Sequence, residues 1–161
     1  MKTPEGNVLW DCITLLDDET VEWINSQGDL KAIVISHPHY YTTHLEWAKT
    51  FNCPVYISKE DEEWLSRRHV SVTAGQVFIE TEDVDILKKG VKAIKLGGHF
   101  SGSLVCLYDG RLLIADTLLM TPAGIGNWKD RPRPKGMNSF AFMWSIPNVR
   151  RAFRARYALC C

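Results

Sequence analysis

The chain has 161 residues, 45% of them apolar and 24% charged, and its 19 basic groups balance 19 acidic ones. That composition fits one globular domain with a real core and excludes disordered or fibrous classes. The longest apolar runs, such as residues 32–35 and 112–115, are far too short to span a bilayer, and the first residues carry no charged-then-apolar leader, so a cytoplasmic location without membrane contact is expected.

In chain order, residues 4–7 (PEGN) are turn chemistry before a short strand at 7–10, which predicts a hairpin partner upstream and therefore a missing opening strand. Asp17, Asp18 and Glu19 open a helix over about 18–26, where the acids suit the helix dipole and Gly28 supplies the stop. Residues 31–35 (KAIVI) form a continuous apolar run, as in a strand buried on both faces. A histidine-rich loop follows, then a helix over about 44–50, with Thr43 and Glu46 in a capping-box pattern. Residues 54–57 are another strand, and Ser58 and Asp61 are candidate caps for a third helix carrying Trp64 and Leu65.

The second part is richer in strands. Residues 76–80 and 91–96 read as strands, and 104–108 and 111–115 flank Asp109-Gly110, a strong type I′ hairpin signal. Residues 121–138, rich in Pro and Gly, are expected to be loop. The order predicts an α/β domain over 1–147 with a mixed sheet, helices outside and ligands at the carboxyl ends of strands.

The last stretch has a different character. Residues 127–161 hold eight basic groups against Asp130 alone, and 148–161 read as a divergent basic tail. A solvated end segment is the preferred reading over a nucleic-acid footprint. The five cysteines form no CxxC pair, which argues for reduced thiols and against cysteine-held zinc; Cys12, Cys53 and Cys106 are expected to be buried and structural.

Three of the five histidines, His37, His39 and His44, lie within residues 35–47 (ISHPHYYTTHLEW). His37 and His39 follow a strand, and in extended chain alternate residues share a face, so both rings can reach one point. His99 sits in a loop behind Gly97-Gly98, and Asp116 follows a later strand. Three imidazoles and a carboxylate at strand ends are a donor set that suits zinc, held by three ligands with an open position.

With these motifs the chain resembles the metallo-β-lactamase superfamily, in its HPHYYT loop at 37–42, its LGGHFSGSLV loop at 96–105 and its RLLIADTL strand end at 111–118. The HPHYY wording is similar to a lactamase-like branch found in fungi and plants. The resemblance implies an αββα sandwich, here incomplete at both ends, with one zinc on His37, His39 and His99. Asp116 would ligate that ion or orient its water. The family's second-metal ligands correspond to Tyr41 and Thr42, and no histidine follows His99, so a second zinc is not expected. His44 is either a substitute ligand or a surface or cap-adjacent residue. Tyr40 and Tyr41 either pack the loop or offer a phenol to the site, Tyr41 being the catalytic candidate beside Asp116. Two functions follow from the resemblance: a mononuclear zinc hydrolase of an ester, thioester, amide or phosphodiester in a small-molecule substrate, or a non-catalytic binding or scaffold relative.

Overall fold

The strand Leu30–Val34 (β3) organises the molecule. Its alternate residues point to opposite faces, and both faces are buried. Ala32 and Val34 enter one apolar cluster; Ile33, with Ile35 just beyond, enters another. This is the computed structural model of the chain, describing residues 1–66, 75–88, 90–121 and 124–127.

Five strands build the first sheet, in the order Lys2–Thr3 (β1), Gly6–Trp10 (β2), β3, Val55–Ser58 (β4) and Gln76–Ile79 (β5). β1 pairs with β2 antiparallel, whereas β2, β3, β4 and β5 run parallel. The second sheet is antiparallel throughout, with Asp83–Ile86 (β6), Val91–Lys95 (β7), Leu104–Tyr108 (β8) and Arg111–Leu113 (β9) in sequence order. A separate antiparallel pair joins Leu118–Thr121 (β10) to Gly124–Asn127 (β11).

The two sheets face each other. Val8, Ala32, Val34 and Ile79 of the first pack with Ile86, Val91, Ala93, Leu104 and Cys106 in or beside the second. On the other face of the first sheet, Ile33, Ile35, Val55 and Ile57 pack under Trp47 and Ala48, with Leu16 and Ile24 at the margin. Those aromatic and aliphatic partners come from the helices Asp18–Ser26 (α1) and His44–Phe51 (α2) and from the loop before α1. The expected sandwich class is the one found. Ile33 is fully buried, so Ile33→Ala is expected to cost about 2–5 kcal/mol of unfolding free energy, read as a fall in the denaturant midpoint.

Local chemistry explains where expectation and structure part. The hairpin partner of β2 is upstream, as expected, but it is not missing: Lys2–Thr3 fills that place, with Lys2 opposite Asn7 and Thr3 opposite Gly6. Asp17 caps α1 as expected, accepting the Thr20 N–H at 2.9 Å. Thr43 makes no side-chain cap for α2; its hydroxyl is turned toward the Ile13 carbonyl, to which it donates at 3.0 Å. Trp47 Nε1 donates to the same carbonyl at 2.9 Å, so the 11–16 loop is tied down on α2. The expected third helix is a 3-10 turn over Lys59–Trp64 without a side-chain cap. Asp109 and Gly110 both have positive φ, 49° and 69°, as a type I′ turn requires. The loop expected at 121–138 contains β11; residues 128–161, including the basic tail, Cys160 and Cys161, lie outside the described residues, as does His69.

Candidate metal centre

The parallel strands of the first sheet end together, and the site is built there. β3 is followed by Ile35 and Ser36, then His37 in extended conformation and a 3-10 turn over Pro38–Tyr40 that carries His39. The second sheet contributes from the connection between β7 and β8, where Gly97 and Gly98 take φ of 64° and 105°. Those angles are ones that glycine adopts at low cost, and they bring His99 back toward the first sheet. A third 3-10 turn, Ala115–Thr117 after β9, places Asp116.

The four expected ligands meet. Among the described residues, one donor atom each from His37, His39, His99 and Asp116 lies within 4.8 Å of the others. Asp116 Oδ2 is 3.4 Å from His37 Nε2, 4.0 Å from His39 Nδ1 and 3.9 Å from His99 Nε2. His99 Nε2 is 3.4 Å from His39 Nδ1. Donors about 2.0–2.1 Å from one tetrahedral ion lie about 3.4 Å apart, so the cluster is close to the size that zinc needs. Burial grades outward, from His37 at 2% side-chain exposure through His99 at 17% to Asp116 at 48% and His39 at 58%. The centre therefore has a buried floor and an open rim.

His37 carries the clearest sign of a missing partner. Its Nε2 is buried and makes no hydrogen bond. Its other nitrogen is fixed by a relay that sequence reasoning missed. Ser36 donates its backbone N–H and its hydroxyl to the two oxygens of Asp11, at 2.7 and 2.9 Å. With its single proton given to Asp11, the Ser36 hydroxyl accepts from His37 Nδ1 at 2.8 Å. We assign the Nδ1–H tautomer on that basis, leaving the Nε2 lone pair facing the cluster. A buried donor atom with a fixed lone pair beside a carboxylate is what a cation would satisfy, and the residues fit one.

The electrostatics agree. Burial drives the His37 pKa down to about 4, partly offset by the carboxylate of Asp116. The ring is thus neutral, the form that binds metal, throughout the physiological range. In the metal-free chain the His37 ring signals in NMR are expected to titrate near pH 4 rather than 6.5. Asp11 is also strained toward neutrality: burial raises its pKa to about 6 against the pull of the Ser36 bonds. The one signal for Asp11 in the sequence is its place directly after the strand at 7–10.

Tyr40 packs edge-on against His37, with ring centroids 5.1 Å apart, but Tyr41, Thr42 and His44 are not brought to this point. Tyr41 is buried in the core under the helices, its ring 5.7 Å from that of His44. Its hydroxyl has no hydrogen-bond partner, and burial raises its pKa, with Asp61 as the charge it senses. That placement fits the packing reading. Thr42 is exposed and shares a hydrogen bond with Thr14 at 3.3 Å. His44 is a buried cap-adjacent residue, not a surface one: its Nδ1 bonds the Tyr41 carbonyl and its Nε2 meets the Gln76 amide at 2.7 Å. Cys12, Cys53 and Cys106 are buried, and burial pushes their thiols up to about 12, 11 and 12.

The sequence profile described as the metallo-beta-lactamase superfamily matches residues 1–156. The chain belongs to that superfamily. Among curated proteins it is similar to the uncharacterized protein YmaE of Bacillus subtilis (strain 168), 38% identical over 151 residues, covering 89% of this chain and 48% of that one. It is also similar to the probable metallo-hydrolase MJ0888 of Methanocaldococcus jannaschii, 24% identical over 118 residues, covering 65% and 56%. The chain thus spans about half the length of these relatives. Neither comes from a fungus or a plant, so they lend no support to that branch. Among solved structures, the Rm3 metallo-beta-lactamase shares the fold, with a TM-score of 0.50 at 15% identity over 99% of this chain and 66% of that one. Among the described residues, no helix of this superfamily member is long and apolar enough to cross a membrane.

Proposed function

We propose that the chain is a mononuclear zinc-dependent hydrolase that cleaves an ester, thioester or amide bond in a small-molecule substrate. The observation that carries this reading is the buried Nε2 of His37, which makes no hydrogen bond and converges with three further donor atoms within 4.8 Å of one another. His37, His39 and His99 would hold the ion. The chemistry a zinc ion supplies when bound is polarisation of a carbonyl oxygen and acidification of a water molecule.

The chain's own residues do the rest. Asp11 and Ser36 hold His37 in one tautomer and one orientation. The floor made by His37 and Phe100, whose rings stack at 5.8 Å, shields the inner side from water. Asp116, half exposed at the rim and within 4.0 Å of all three imidazoles, orients the attacking water and accepts its proton at Oδ2. Tyr41 has no part in this reading. Similarity to a probable metallo-hydrolase supports it. A panel of ester, thioester and amide substrates, run with zinc-loaded and chelator-stripped protein, tests it. Turnover that requires zinc and is lost in Asp116→Asn supports the hydrolase; zinc binding without turnover of any substrate favours the non-catalytic alternative.

A further inference from the structure

We propose that Asp61 is a positioning residue for His99. Its buried carboxylate pins the 97–103 loop of the second sheet to the first and so sets how far His99 stands from His37 and His39. The inference rests on the metal-centre reading above.

His99 is the one imidazole of the cluster supplied by the second sheet, 60 residues beyond His39 in the chain. Its loop begins with two glycines at positive φ, so backbone stiffness alone does not place it. Several bonds within the loop fix its shape. Leu96 N–H and Gly97 N–H both donate to the Ser103 carbonyl, at 2.9 and 3.0 Å, and Phe100 N–H donates to Ser103 Oγ at 2.8 Å. None of these ties the loop to the first sheet.

Two other bonds do. Leu104 N–H donates to the Ser36 carbonyl at 2.8 Å, next to His37. Gly102 N–H donates to Asp61 Oδ1 at 2.8 Å. Asp61 is fully buried, and Gly102 sits so closely on it that an added Cβ would stand 2.8 Å from Asp61 Cγ and 2.4 Å from Ser58 Oγ. The same 3-10 turn grips the second sheet twice more. Glu60 pairs with Lys95 of β7 at 2.7 Å while accepting from Ser58 Oγ at 2.7 Å. Trp64 meets the ring of Phe100 edge-on at 5.5 Å, and Phe100 in turn touches the rings of His37, His39 and His99.

The carboxylate is costly where it stands. It is fully buried, and its Oδ2 makes no hydrogen bond. An uncompensated polar atom of this kind lowers stability. What Asp61 provides in return is an acceptor aimed at Gly102, three residues from the ligand. Partners that hydrogen-bond a ligand directly typically control metal affinity by about 10–100-fold, which sets the scale expected for Asp61 acting through the Gly102 backbone.

The test compares native protein with Asp61→Ala, Asp61→Asn and Gly102→Ala. Amide hydrogen exchange of residues 97–103 is measured without metal. Zinc affinity is measured by competition with a chromophoric chelator, and the visible spectrum of the cobalt-substituted protein reports ligand geometry. Asp61→Ala is expected to exchange the loop at least about 10-fold faster, to bind zinc about 10–100-fold more weakly and to change the cobalt spectrum. Asp61→Asn keeps an oxygen for the Gly102 N–H and is expected to restore all three to near native. Gly102→Ala keeps the acceptor but displaces the loop, and is expected to weaken zinc binding. A folded Asp61→Ala with native loop exchange and native affinity overturns the proposal, as does an Asp61→Asn no better than Asp61→Ala. Should Asp61→Ala fail to fold, native zinc affinity in Gly102→Ala overturns it. If native protein takes up no zinc, the metal reading falls, and the exchange rates of Asp61→Ala and Asp61→Asn still decide whether Asp61 places the loop.

Discussion

His99→Ala is expected to abolish specific zinc binding while leaving the chain folded. The 97–103 loop is held by backbone donors and by the side chains of Ser103 and Asp61, so removing the imidazole takes away a ligand and not the loop. Two histidines and a half-exposed carboxylate remain, and the affinity should fall by about 100-fold or more, beyond what loss of an outer partner costs. A ligand that binds the folded state at 100 times its Kd stabilises it by about 2.7 kcal/mol. Native protein should therefore melt several degrees higher with zinc than without, and His99→Ala should show no such shift. An equal zinc-dependent shift in both proteins would place the metal elsewhere.

Asp11→Ala is expected to weaken zinc binding by about 10–100-fold without touching a ligand. Without Asp11, both Ser36 donors lose their acceptor, at about 1–3 kcal/mol for a buried unsatisfied group. The freed Ser36 hydroxyl can then donate to His37 Nδ1, which moves the ring proton to Nε2 and blocks the lone pair that faces the cluster. The backbone adds to the effect, because Asp11 has φ of 58°, a region that Asp and Asn tolerate better than Ala. Nitrogen NMR of the His37 ring in the metal-free chain checks the tautomer directly. An unchanged Nδ1–H signal together with unchanged zinc affinity would show that the relay does not orient the ring.

The parts of the fold and site that were legible in the sequence are those carried by local signals. β3 announced itself as a run with no polar face, and Asp109-Gly110 could turn in few other ways. The four candidate ligands were legible because imidazole and carboxylate at strand ends are rare enough to stand out. The supporting residues were not. Asp11 meets Ser36 across 25 residues and Asp61 meets Gly102 across 41, and neither pairing leaves a spacing to read. Side-chain hydroxyls misled for a related reason. Thr43 and Ser58 had the composition of caps, but each hydroxyl is turned away from the helix N–H groups to donate elsewhere, to the Ile13 carbonyl and to Glu60. β6 carries a weak signal, because residues 83–86 alternate Asp, Val, Asp, Ile and hold only two apolar residues. The two acids stand on an exposed face, where Lys92 of the neighbouring strand lies 3.3 Å from each.

The tyrosine and threonine at positions 41 and 42 give the site its particular character. One is drawn into the core and the other bonds Thr14, while His37, His39, His99 and Asp116 still converge as candidate ligands. The central claim is that this remaining half binds one ion. The metal content of purified native protein, measured after supplying zinc and removing excess, tests it most directly. About one zinc per chain, absent from His99→Ala prepared in the same way, is the result predicted; native protein that retains no zinc would contradict it.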